Sequence, residues 1–432
     1  MHVLIIGNGV AGASAAVELR KKSNCTITLL SDEHPYFFSR TALMYVYMGQ
    51  LLFEHTEVFE RDFWKKNTIS LLQAQLTQIN FKEQFIILHN GEKINYDKLV
   101  LATGSIPKKL NIDGEHFKGV QYLYSKQDLD KLEQNSKNVK EAIVVGGGLI
   151  GVELCEMLLS RGIEVHFFIK EKYFWNSVLP DTDASFVQNY LKQIPRLHLH
   201  NNQVVNEIIG DENGNLKGIK TKKGDFFSCQ LLGVCIGVEP NISCIKNTEL
   251  KTNRGILVNE FLETSIDNVY AIGDCAELIF PEKNRKSIEA IWYSAKNMGI
   301  CVSSTLAGPK NMYEQGIWTN SAKFFELEFQ CVGLVKSTLD DMENEFVWKN
   351  EKKNQLLHFI FEKDSTKFLA VNAIGLRIRQ KTFEKWIKEE TTIIEVLKNL
   401  RLALFDSEFS KDISKEVFRL FSKIIFHTNE AI

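Results

Sequence analysis

The feature that most restricts this chain is a glycine-rich turn that occurs twice, each time behind a short apolar run. Val3–Ile6 leads into "GNGVAGASAA", Gly7 to Ala16, and Ala142–Val145 leads into "GGGLIGVELC", Gly146 to Cys155. A strand that turns sharply into a helix needs a first glycine for the turn. A second lets a pyrophosphate approach the backbone, and a third lets the helix pack on the strand. Gly7, Gly9 and Gly12 have that spacing, as do Gly146, Gly148 and Gly151, with Val10 and Ala11, or Leu149 and Ile150, between the second and third. The helix start adds unpaired N–H groups and the positive end of a dipole, both suited to phosphate. One such turn also serves ordinary packing. Two copies in strand–turn–helix context point to two bound dinucleotides, and so to electron transfer between cofactors.

Size and charge narrow the reading further. A chain of 432 residues exceeds one ordinary core and suggests three domains. Hydrophobic content of 44% and charged content of 25% are those of a soluble globular protein, and a net charge of −2 gives no case for nucleic acid. The eight cysteines show no CxxC and no framework spacing, which points to a reduced, cytoplasmic setting. The first expected strand begins at His2, leaving no room for a signal peptide. No uncharged apolar run, Thr41 to Phe53 being the nearest, reaches the roughly 18 residues of a membrane span.

Along the chain, residues 1–33 read as strand, helix, strand and close on Asp32 and Glu33, near where a ribose-binding carboxylate is expected. Residues 56–70 read as helical, and 71–101 as strands broken at "HNGEK". "YDKLVLATGSIP", Tyr96 to Pro107, is an apolar strand ending in small residues and proline; "LLGVCIGVEPN", Leu231 to Asn241, mirrors it. Residues 142–170 repeat the βαβ pattern, 197–238 read as strands, and "NVYAIGDCAE", Asn268 to Glu277, is a buried strand ending in Gly-Asp. A helix is expected over 287–306, strands from Trp318 to Asn372, and helices over 381–426.

Five ordered motifs, "GNGVAG", "LVLATGSIP", "GGGLIGVE", "GVEPN" and "VYAIGDCAE", give residues 1–335 a specific resemblance. The sequence resembles the FAD-dependent pyridine nucleotide–disulfide oxidoreductase superfamily. The resemblance implies an α/β fold of two doubly wound, Rossmann-like dinucleotide-binding domains, one inserted in the other, plus a C-terminal α+β domain. The boundaries read as 1–112 and 255–312 for the FAD domain, 113–254 for the NAD(P) domain and 313–432 for the C-terminal interface domain. In that family the first turn holds FAD and the second NADH or NADPH.

The resemblance then implies individual roles. Gly7, Gly9, Val10, Ala11 and Gly12 line the FAD pyrophosphate, Asp32 or Glu33 takes the adenosine ribose, and Leu76 lies beside adenine. Ala102, Thr103 and Gly104 form a turn at the FAD domain's edge, and Asp274, with Gly273 allowing close approach, meets the ribityl or diphosphate portion. Gly146, Gly148, Leu149, Ile150 and Gly151 hold the nicotinamide dinucleotide, with Gly237 at the mirror-image turn. Glu153 matches a glutamate near the flavin–nicotinamide junction. "YFFSRTALMYVYMG" resembles the segment beside the flavin in the ferredoxin-reductase and nitrite-reductase-like branches, where Arg40 fits an arginine. A lysine usual there is Tyr45 here, and the redox cysteines of disulfide-reducing branches are missing from residues 36–50.

Other residues read as structural. Cys275 is expected to be a packing thiol, Cys229 and Cys235 core thiols, and His198 and His200 surface histidines rather than a metal pair. The tail Asp412–Phe426 places Ile413, Val417, Leu420, Phe421 and Ile424 on one face, which suits packing on its own domain or a dimer mate. After the second turn the strand "EVHFFIKEK" ends in Ile169 and Lys170 where NADH-specific relatives carry a carboxylate. The expectation is dual use or a lean to NADPH, although Glu171 is adjacent.

These readings converge on an FAD-containing NAD(P)H oxidoreductase. It would place a hydride on flavin N5 and pass electrons to an external acceptor such as a small iron–sulfur protein or a quinone. Two rivals remain: a membrane-associated NADH:quinone oxidoreductase anchored by the C-terminal helix, and a redox-sensing, partner-binding flavoprotein with slow turnover.

Overall fold

A computed structural model describes residues 1–405 and 411–428. Contacts divide the chain into two compact units: 1–111, 115–139 and 233–315 in the first, and 112–114, 140–232 and 316–432 in the second. Residues 140–232 and 316–432 thus share one unit, although the sequence pattern places boundaries between them near 254 and again near 312.

The first unit is built on a parallel sheet, in the order Val269–Ala271, Lys98–Leu101, His2–Ile6, Thr26–Ser31, Ile69–Gln73. Its central strands are unbroken apolar runs, with Val3, Leu4, Ile5, Leu99, Val100 and Leu101 buried, as a sheet covered on both faces requires. Helix Val10–Lys22 ends in Arg20, Lys21 and Lys22, which suits the negative end of its dipole. It crosses helix Trp292–Ala307 closely, because Gly299 lies where a Cβ would press on the Ala11 carbonyl, the Ala15 amide and Ser14. An antiparallel sheet of Leu76–Asn80, Phe85–Leu88 and Lys93–Asn95 turns at the expected "HNGEK". The two mirror-image segments meet: Ser105–Pro107 pairs antiparallel with Val238–Pro240.

In the second unit the strands Leu197–Asn201, Glu164–Ile169 and Glu141–Val145 lie side by side and parallel, with helices Leu149–Ser160 and Asp181–Leu191. Val205–Gly210, Leu216–Thr221 and Phe226–Ser228 form an antiparallel sheet. The C-terminal part is a five-stranded antiparallel sheet, in the order Thr319–Phe324, Leu327–Val332, Phe368–Ile374, Gln355–Glu362, Glu343–Asn350. Helices Gln380–Lys388, Ile393–Lys398 and Ser414–Thr428 follow it.

Three sequence expectations change in detail. The helix foreseen over 56–70 is only Arg61–Lys66, because Thr68 turns left-handed (φ 51°) into the strand starting at Ile69. The helix foreseen from 287 starts at Trp292, since the buried Arg285–Glu289 ion pair and the bond from Ser294 to Glu289 hold the preceding loop. In the tail, Ile413, Val417 and Phe421 join the core of the C-terminal sheet and its helices. Leu420 does not: these three repeat every fourth residue, and Leu420 sits beside that stripe, 39% exposed. The Ile424 side chain lies outside the described residues.

Candidate functional site

At the first turn Gly7 has φ 106°, and a Cβ there would overlap the Ala102 carbonyl oxygen; one on Gly12 would overlap the Gly7 carbonyl. Only glycine fits the turn and the helix–strand crossing. Gly9 differs, since a Cβ on it would meet nothing within 4 Å. It is the N-cap of helix Val10–Lys22, makes no side-chain cap and is followed by no acidic residue in the first turn. The helix therefore presents bare amides to an open space, which is what a pyrophosphate needs. The residues present fit a dinucleotide here. Asn8, buried between the first two glycines, donates to the carbonyls of His34 (2.6 Å) and Pro35 (3.2 Å) and ties the turn to the loop beyond Glu33.

The two candidate ribose carboxylates are not equivalent. Glu33 takes both terminal nitrogens of Arg40, at 2.9 and 2.6 Å, and the Lys126 amide at 2.8 Å, so it caps helix Lys126–Asn135. Asp32 is exposed. Arg40 also donates to the Tyr124 carbonyl at 2.7 Å and lies 4.4 Å from the Tyr124 ring centre. The Tyr124 hydroxyl is 3.0 Å from Ser105 Oγ, which donates to Asp274 at 2.7 Å. Burial raises the Asp274 carboxyl, against the opposing pull of Ser105 and Arg40. Arg40 and Asp274, expected on one cofactor, are thus joined through Tyr124 and Ser105. The sequence pattern assigns neither of these two a role, and no motif marks Tyr124.

The remaining expected residues of this unit lie at strand ends. Ala102 donates to the Ile6 carbonyl at 2.8 Å, Thr103 Oγ1 to the Asn241 carbonyl at 2.6 Å, and Gly104 has φ 69°. Leu76 opens its strand, packed against the core, and Gly273 opens the short 3-10 turn that carries Asp274. Gly237, with φ 105°, accepts from the Lys108 amide at 3.0 Å and belongs to the first unit.

The second turn repeats the first. Gly146 has φ 121°, a Cβ on Gly151 would overlap the Gly146 carbonyl, and Gly148, the uncapped start of helix Leu149–Ser160, faces open space. The residues fit a second dinucleotide. Its second strand ends differently, in buried Ile169 and exposed Lys170. One turn into the helix, burial and then the charge of Glu156 push the Glu153 carboxyl up to about 8. Glu156 itself accepts from the Phe325 amide at 2.6 Å.

None of the eight cysteines is in a disulfide. Cys275 is fully buried, donates to the carbonyls of Ile272 and Leu101, and is held up in pKa by that burial, as a packing thiol should be. His198 and His200 share a strand; His198 meets Glu164 at 2.6 Å and His200 lies 2.9 Å from His166. Among the described residues no group of three or more metal-ligating side chains is placed to hold an ion, and no helix is long and apolar enough to cross a membrane.

Comparison with known proteins places the chain in a family: the pyridine nucleotide-disulphide oxidoreductase family matches residues 1–299. The chain belongs to that family. Its members use FAD and NAD(P)H, and these are the cofactors of this family member. The chain is 30% identical over 276 residues to the NADH-rubredoxin oxidoreductase of Clostridium acetobutylicum, covering 64% of this chain and 68% of that one. It is 31% identical over 279 residues to the nitrite reductase [NAD(P)H] of Bacillus subtilis, covering 64% of this chain but only 34% of that longer protein. Among solved structures, a NAD-dependent persulfide reductase from A. fulgidus shares the fold with a TM-score of 0.85 at 23% identity, over 100% of this chain and 84% of that one.

Proposed function

We propose that this family member takes a hydride from NAD(P)H onto FAD and passes the electrons to an external acceptor, a small iron–sulfur protein, in the cytoplasm. The observation that carries the reading is the pair of bare helix starts behind Gly9 and Gly148, each open to a phosphate. FAD supplies the hydride-accepting, one-electron-donating chemistry. Gly7, Gly9, Val10, Ala11 and Gly12 would hold its diphosphate, Asp32 its ribose, and the Arg40–Tyr124–Ser105–Asp274 chain would orient the part nearer the ring. Gly146, Gly148, Leu149, Ile150 and Gly151 would hold the nicotinamide dinucleotide, with Lys170 near a 2′-phosphate. Glu153, with a carboxyl near 8, holds a proton at neutral pH beside the second turn.

The similarity to a NADH-rubredoxin oxidoreductase supports an iron–sulfur acceptor. The burial of Ile413, Val417 and Phe421 within their own unit supports packing on that unit over a membrane anchor. The test is anaerobic reduction of the yellow protein with NADPH or NADH, then mixing with rubredoxin, ferredoxin, a soluble quinone and ferricyanide. Fast reoxidation by an iron–sulfur protein supports the proposal. Preference for the quinone, or slow turnover with every acceptor including ferricyanide, overturns it in favour of a quinone reductase or a sensor.

A further inference from the structure

The loop Lys170–Pro180 follows the strand that ends beside the second glycine turn, and its position is decided from two sides. Trp175 donates its amide to the Gly147 carbonyl at 2.8 Å, inside the turn itself. To do so it adopts φ 56°, a conformation that costs a bulky residue energy and persists only where its surroundings impose it. The surroundings are the C-terminal sheet: the Trp175 ring meets Phe329 edge-on at 5.0 Å, and Phe174 meets Phe324 at 5.5 Å. Helix Asp181–Leu191 holds the same loop through two of its side chains. Gln188 accepts from the Phe174 amide at 3.1 Å and from Asn201 at 2.7 Å, while Asp181 accepts from Asn176 at 2.9 Å.

That helix is fastened in turn by a buried cluster. Asp183, fully buried, faces His358 Nδ1 at 2.8 Å and accepts from Asn372 at 2.7 Å. His358, also fully buried, faces Glu345 through Nε2 at 3.0 Å. Asp183 and Glu345 are the charged groups on His358, from the helix and from strand Glu343–Asn350, and Asn372 on the neighbouring strand is neutral. Burial pulls the imidazole down, but the bonds and charges of Asp183 and Glu345 outweigh it and leave it raised.

We propose that His358 is a positioning residue for nicotinamide dinucleotide binding: through Asp183 it fixes helix Asp181–Leu191, which fixes the Lys170–Pro180 loop and the Trp175–Gly147 bond. The inference rests on the second turn binding NAD(P)H. With His358 charged, both of its nitrogens donate to carboxylates and the clamp is complete. Its folded pKa lies above the ordinary 6.5, so the clamp is fully present below that value and is lost as pH rises through the folded one.

Dissociation constants for NADP+ and NAD+ are measured by calorimetry on the FAD-loaded full chain from pH 7 upward, where the dinucleotide phosphates no longer titrate. Wild type should weaken several-fold with rising pH. His358→Gln should bind several-fold more weakly at pH 7, keep its flavin content and retain only the pH dependence that Glu153, ionising near 8 beside the same turn, contributes. Glu345→Gln alters a half-exposed side chain that the fold can spare, and should move the midpoint to lower pH. An unshifted midpoint in Glu345→Gln, or unchanged affinity in flavin-loaded His358→Gln, overturns the proposal. Wild type that binds neither dinucleotide at any pH overturns the functional reading itself, and the inference with it.

Discussion

Behind Gly7–Gly12 the second strand, Thr26–Ser31, runs out into Asp32 and Glu33, and Glu33 is locked to Arg40 and to a helix start. Behind Gly146–Gly151 the second strand, Glu164–Ile169, runs out into Ile169 and Lys170, and the next loop is held by backbone bonds and aromatic rings. The glycines are interchangeable in geometry and the strand ends are not. On the proposed assignment, phosphate recognition would rest on the glycines and the helix amides, which can be copied. Discrimination between ligands would then rest on the loop after the second strand, where the two turns differ: acid-rich and cross-linked in one, apolar and cationic in the other.

The largest effect should come from filling the space beside each second glycine. Gly9→Val should leave the purified protein colourless, whereas Gly148→Val should keep its flavin but no longer be reduced by NAD(P)H. Released flavin is identified by chromatography and should be FAD, not FMN. A Gly9→Val protein that still holds a full complement of FAD contradicts the assignment of the first turn.

A smaller effect should follow Glu153, for which the first turn has no counterpart. Its carboxyl near 8 exceeds its ordinary 4.5, so the folded state binds that proton more tightly than the unfolded one. Ionising it costs stability from about pH 5 upward, until the cost levels off above about 8. Glu153→Gln should therefore gain on wild type across that window, by on the order of several kcal/mol, since each tenfold difference in proton affinity corresponds to about 1.4 kcal/mol and the shift spans more than three. Urea denaturation at pH 5, 7 and 9 checks this, and a difference that does not grow with pH refutes it.

Removing the cation at the second strand end should matter less. Lys170 is exposed, so a bond to a 2′-phosphate would be worth about 1–2 kcal/mol, and Lys170→Ala should lower the NADPH:NADH ratio of kcat/KM by roughly five- to thirty-fold. A strong NADH preference that the substitution leaves untouched would show that Lys170 does not select the nucleotide.

The smallest effect is expected at the thiols. Cys275 is fully buried and bonds to the carbonyls of Ile272 and Leu101, and the segment Tyr36–Gln50 holds no cysteine. Anaerobic dithionite titration should end at about two electrons per FAD, the flavin's own capacity, with no thiolate charge-transfer band on the way. Cys275→Ser should keep its turnover. Uptake of four electrons would mean that distant thiols meet and react.

Much of this molecule is local and therefore readable in the chain. An apolar run, three glycines at fixed spacing and a helix-forming stretch are short-range requirements of one strand–turn–helix, and both copies fold as that pattern demands. The antiparallel strands around "HNGEK" and the C-terminal order of strands before helices follow from turn chemistry and periodicity in the same way. Partners chosen across the fold were beyond it. Asp32 and Glu33 look alike in sequence, and only the arrival of Arg40 and Lys126 on Glu33 separates them. Tyr124, Ser105 and Asp274 are far apart in the chain and meet because their strands and turns converge. His358 and Asp183, 175 residues apart in the chain, carry no local signature at all. Short-range sterics write the turns into the sequence, whereas a buried charge is settled only by which other groups the tertiary fold brings within hydrogen-bond reach.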